Sequence, residues 1–213
     1  RVSRRQRQMC IRDSIYTGIP PSSSQETTIE DAANKVSESV YFELPNPLQI
    51  IDVTFNLYSE VSDVLGYAQI DSTQSVDGTN DFGKLFASSA TIGLNIYHNS
   101  GIISESTVIH ELLHVCGVGS HWSLNNGPLD TSRGNDNIFY VGANALREYK
   151  AYIDVNSDST GIIGIPVEND GEAGTVSVHP EEGLAPQISS TNDRYVNGVF
   201  HPGLGTEVMT GLS

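Results

Sequence analysis

The sequence predicts an α+β domain of two lobes with a cleft between them, on three observations. Apolar residues recur at helical spacing in two stretches, residues 25–41 and 104–116. Between them lie three segments of strand character. Beyond about residue 117 the chain becomes rich in Gly, Pro and Asn and is expected to be largely irregular. At 213 residues the chain can bury a sizeable core.

Residues 25–41 carry Ile29, Ala32, Ala33, Val36 and Val40 three and four apart, the stripe of an amphipathic helix. Pro45 and Pro47 then break the chain. Ile51, Val53, Phe55 and Leu57 alternate with Asp52, Thr54 and Asn56, the two-residue period of a half-buried strand. A second strand is expected over 64–70, a loop over 71–83, and a third strand over Ala90–Tyr97. From Ser104 the spacing is helical again. Ser104 suits the N-cap, Glu105 the first turn, and Val108, Ile109, Leu112, Leu113 and Cys116 supply the apolar side. Gly117 and Gly119 end this helix, because glycine accepts the positive φ of a helix C-cap. A short helix is expected at about 142–153, and no internal repeat is present.

Hydrophobic residues make up 38% and charged residues 17%, which excludes a disordered or fibrous chain. No apolar run approaches the ~18–20 residues of a membrane span. The formal charge of −15 argues against nucleic acid or anionic membrane as partner, since both reward basic patches. That charge is uneven. Arg1, Arg4, Arg5, Arg7 and Arg12 crowd the first twelve positions, and without residues 1–14 the balance is 25 acids to 6 bases, a net −19. The segment RVSRRQRQMCIRDS has neither helical nor strand periodicity and no apolar stretch of a signal peptide. It reads as translated sequencing-adaptor sequence, leaving residues 15–213 as the folded domain. The native N-terminus is then expected to be missing, and the end at Ser213 to be clipped. With Cys10 in that segment, Cys116 is left single, and neither a disulfide framework nor a Cys-based metal site is expected.

The chemistry lies in His110-Glu111-Leu112-Leu113-His114, an H-E-x-x-H motif on the second predicted helix. Residues four apart share one helix face, so both imidazoles can converge on one metal ion. Glu111 is placed to act as general base toward water activated by that ion. A catalytic Zn²⁺ takes three protein ligands and keeps a position open for water, whose pKa it lowers toward ~7. Peptide hydrolysis follows from these parts. The third ligand is open among His98, His121, His179 and His201. Position 120, where the H-E-x-x-H-x-x-G-x-x-H spacing would put it, is Ser120.

HELLHVCGVG, together with Glu207-Val208-Met209-Thr210-Gly211, resembles the metzincins, whose second hallmark is a Met-containing turn. Within that group the chain is similar to leishmanolysin and its bacterial and viral relatives. DVLGYAQI (63–70), HELLHVCGVGSHW (110–122), YVGANALREYKAY (140–152), IPVENDGEAGTVSVH (165–179) and TEVMTG (206–211) carry the similarity in order. The resemblance implies a metzincin-type fold, with an upper lobe of twisted mixed sheet and two helices. Its lower lobe is largely irregular and rests on the Met-turn.

It also implies one catalytic Zn²⁺ on His110, His114 and His179, with Glu111 as catalytic residue. His201 is the rival for the third position because it lies nearer Met209, and His121 falls where the family carries a non-ligand. Met209 would form an apolar floor beneath the metal. The strand Ala90–Tyr97 would be the sheet edge along which an extended peptide substrate adds. The implied protein is a secreted or cell-surface metalloendopeptidase, acting as a monomer. The alternative is a catalytically inactive adhesion or binding module with zinc as a structural staple, against which the intact Glu111 argues. Asp154–Asp158 has the alternating oxygen ligands of a calcium loop but lacks its glycine and terminal acid, so a polar turn is expected.

Overall fold

The computed structural model describes residues 10–40, 50–97, 101–134, 137–154, 160–169, 174–181, 195–204 and 208–209. The class is α+β, with three helices and a mixed sheet among the described residues. The chain divides between Val118 and Gly119 into two compact units.

The first unit holds β1 (Cys10–Gly18), α1 (Ser23–Ser39), β2 (Ile50–Tyr58), β3 (Gly66–Ser75), β4 (Leu85–Asn95) and α2 (Glu105–Val115). The sheet order is β1-β2-β4-β3; β1, β2 and β4 run parallel and β3 runs antiparallel to β4. The period-two pattern of β2 holds as expected, with Ile51, Val53, Phe55 and Leu57 buried. They share one core with Ile29, Ala32 and Val36 of α1, Ile92 and Leu94 of β4, and Val108, Leu112 and Val115 of α2. Helix α1 starts two residues before the expected stretch 25–41 because Ser22 and Gln25 form a capping box. The Ser22 hydroxyl accepts from the Gln25 N–H, and the Gln25 side chain accepts from the Ser22 N–H at 2.7 Å.

Several boundaries differ from those expected. Residues 10–14 lack side-chain periodicity yet belong to β1, since parallel pairing to β2 uses only backbone groups. The loop expected over 71–83 is strand as far as Ser75, paired to Leu85–Ser89. There Ser72 bonds both Ser88 and Ser89 at 2.7 Å, and Thr91 donates to Asp71 at 2.8 Å. A polar strand of this kind shows no apolar alternation. The strand expected over Ala90–Tyr97 starts at Leu85 and ends at Asn95, whose buried amide leaves the ladder for a loop. Its Nδ2 donates to the carbonyls of Glu60 and Val64, and its Oδ1 accepts from the N–H of Glu60 and of Tyr97.

The edge assignment is also corrected. β4 lies inside the sheet between β2 and β3, so it cannot accept a further strand. β3 and β4 are consecutive and pair as a hairpin while β4 also pairs with β2, and this leaves β3 at the edge.

The second unit is built from short pieces, as expected. Two-residue strands β5 (Leu129–Asp130), β6 (Phe139–Tyr140) and β7 (Ile165–Pro166) form one small sheet; β8 (Tyr195–Val196) and β9 (Val199–Phe200) form a hairpin. Helix α3 (Ala143–Asp154) packs Tyr149 and Ile153 against Ile162 and Ile165. None of the described helices is long and apolar enough to cross a membrane.

Candidate metal centre

Helix α2 ends in a Schellman motif. The Val118 N–H bonds the Leu113 carbonyl and the Gly117 N–H bonds the His114 carbonyl, both at 3.0 Å, with Gly117 at φ +98°. This turn brings the Val118 carbonyl to 2.8 Å from His114 Nδ1. A carbonyl only accepts, so Nδ1 carries the proton and Nε2 keeps its lone pair. That Nε2 lies 3.1 Å from His110 Nε2, one turn back on the same face. The imidazoles meet edge to face with centroids 4.7 Å apart.

His179 is positioned by a second backbone device. Residues 166–168 pair antiparallel with 179–181: the Glu168 N–H donates to the His179 carbonyl at 3.0 Å, and the Glu181 N–H to the Pro166 carbonyl at 2.9 Å. His179 Nδ1 lies 3.1 Å from the Thr175 carbonyl, which again leaves Nε2 as the lone-pair nitrogen.

Ligand atoms of His110, His114 and His179 all lie within 4.8 Å of one another. Imidazole nitrogens on a tetrahedral Zn²⁺ stand at ~2.0–2.1 Å from the ion, so they lie roughly 3.3 Å apart. The three residues therefore fit a metal ion such as zinc, which the His110 and His114 nitrogens, 3.1 Å apart, could share with His179. The carbonyl behind each of His114 and His179 is the usual outer support of a metal-bound imidazole.

Glu111 turns inward, 6% exposed, beside β3. Burial pushes its carboxyl up to about 7. A Cβ on Gly66 would stand 3.0 Å from Glu111 Oε1 and 3.1 Å from the Gly93 carbonyl, so glycine makes room for the carboxylate. Tyr58 and Tyr67 stack nearby with centroids 6.0 Å apart. The Tyr58 hydroxyl is held above its ordinary pKa by burial first, then by Tyr67, Glu60 and Glu111.

The other histidines fall elsewhere. His201 is fully buried, and both ring nitrogens are engaged at 3.1 Å: Nε2 accepts from the Ile163 N–H and Nδ1 donates to the Val199 carbonyl. No lone pair remains for a metal, so the rival is a structural histidine. His121 is buried outside the cluster, and burial holds its pKa below the ordinary value. His98 lies outside the described residues. Met209 is buried, while most of TEVMTG and of Asp154–Asp158 lies outside the described residues. Burial pushes the Cys116 thiol up to about 12, as suits an inert core residue.

Sequence reasoning passed over Gly66 and the buried acid Glu168. Both stand in stretches that carry the family resemblance, DVLGYAQI and IPVEN, but neither residue type signals a role without its neighbours in space. No protein-family model matches the chain, and no curated protein matches it.

Proposed function

We propose that the protein is a zinc metalloendopeptidase of the leishmanolysin-like metzincins, acting outside the cell. The observation that carries this reading is the three-histidine cluster with buried Glu111 following its first member on the same helix. His110, His114 and His179 would hold the ion. Zinc, when bound, acidifies water and polarises a peptide carbonyl. Glu111 takes the proton of the attacking water on a carboxylate oxygen and passes it to the leaving amine nitrogen. Gly66 leaves room for that carboxylate, and the apolar side of α2 anchors the helix that carries it. A peptide substrate lies extended along β3, the antiparallel edge, joined by main-chain hydrogen bonds.

Glu111→Gln tests the reading. The variant is expected to bind zinc as the parent does while casein cleavage falls by about 10²–10⁴-fold. Undiminished cleavage would overturn the mechanism. His179→Ala is expected to lose both metal and cleavage.

A further inference from the structure

One acidic side chain near His179 has no part in the chemistry above. Glu168 is 6% exposed, and its Oε2 lies 3.8 Å from His179 Nδ1. Its backbone is fixed on both sides. Its N–H is given to the His179 carbonyl, and its own carbonyl accepts from the Ser177 N–H at 2.9 Å. The residue that clamps the His179 backbone therefore also brings a carboxyl group to the imidazole edge that faces away from Nε2. Burying a carboxylate beside a neutral imidazole is costly, and a nearby dication offsets that cost. The Thr175 carbonyl already occupies the Nδ1 hydrogen, so a neutral side chain would suffice if orientation were the sole need. What a carboxyl adds is negative charge.

We propose that Glu168 is a positioning residue for the third metal ligand: its buried carboxylate, behind His179 Nδ1, strengthens the Nε2 donor and balances the charge of a bound divalent cation. The proposal rests on the assignment of His110, His114 and His179 as the metal site. Groups of this kind behind a ligating histidine change metal affinity by about 10- to 100-fold when removed.

The decisive variant is Glu168→Gln, which keeps shape and removes charge. Two quantities are measured on the full chain: zinc affinity, by competition with a chromophoric chelator, and the melting temperature of the metal-free protein. Zinc affinity is expected to fall by about 10- to 100-fold, while the metal-free melting temperature stays level, because the variant keeps the shape of the side chain and the backbone pairing. A merely structural Glu168 would lower the melting temperature and leave zinc affinity of the folded protein unchanged, and that result overturns the proposal. So does failure of the metal-free variant to fold. His179→Ala separates the two levels. If that variant binds zinc as tightly as the parent, the metal-site assignment fails; if it loses zinc while Glu168→Gln does not, only the role of Glu168 fails.

Discussion

At the scale of single residues, a histidine's role here is decided by what its two nitrogens face. His114 and His179 each give Nδ1–H to a backbone carbonyl and belong to the three-histidine cluster, whereas His201 uses both nitrogens inside the second unit. His201→Ala is therefore expected to cost about 2–4 kcal/mol, through lost packing and two stranded backbone groups. Zinc per folded molecule should stay unchanged; unfolding curves and metal analysis check both. Gly66 makes the opposite case, a residue that matters by what it lacks. Gly66→Ala puts a methyl against Glu111 Oε1 and the Gly93 carbonyl. It is expected to lower kcat by about tenfold or more with zinc content intact, since a displaced base loses its reach to the proton.

At the scale of elements, the sheet ends are held by polar side chains rather than by apolar pattern. Asn95 makes four hydrogen bonds to the backbone of 60–64 and 97, tying the loop that leads into β3. Asn95→Ala is expected to cost about 2–4 kcal/mol, since it removes four hydrogen bonds made by a buried amide. Hydrogen exchange at 60–66 should rise with it. At the far end of the same hairpin, Lys84 holds the Asp77 carboxyl down to about 2 through a 2.5 Å contact, aided by Thr79. The folded value lies below the unfolded one, so the small contribution of this exposed pair is present above the ordinary carboxylate range. It is lost as pH falls toward 2. Lys84→Ala should move the Asp77 midpoint up toward the usual carboxylate value, as read by NMR titration.

These two elements show how far the chain could be read. The stripe Ile29–Val36 and the alternation Ile51–Leu57 were legible because each buries one apolar face, and burial writes its period into the sequence. β1 and the second half of β3 were not, because Cys10–Arg12 is paired through the backbone, and Asp71–Ser75 through the backbone and polar side chains. Period carries no record of that.

At the scale of the whole molecule, metal binding should couple to stability. A ligand that binds only the folded chain adds about 2.7 kcal/mol at a hundredfold excess over its Kd, roughly 5–10 °C in Tm for a chain of this size. Zinc is expected to raise Tm accordingly, EDTA to reverse it, and His179→Ala to abolish the response. A zinc-independent Tm would count against the site.

What the sequence by itself determined is the class of fold and half of the site. Helix α2, its glycine end and the pair His110/His114 follow from residues within one turn of each other, where geometry is local. The acidic balance likewise follows from composition alone. The edge strand and the placement of Glu168 were decided by tertiary structure alone, whereas for His179 over His201 it added geometry to what the resemblance implied. Each depends on backbone pairing between distant residues, and such pairing leaves no spacing along the chain to be read.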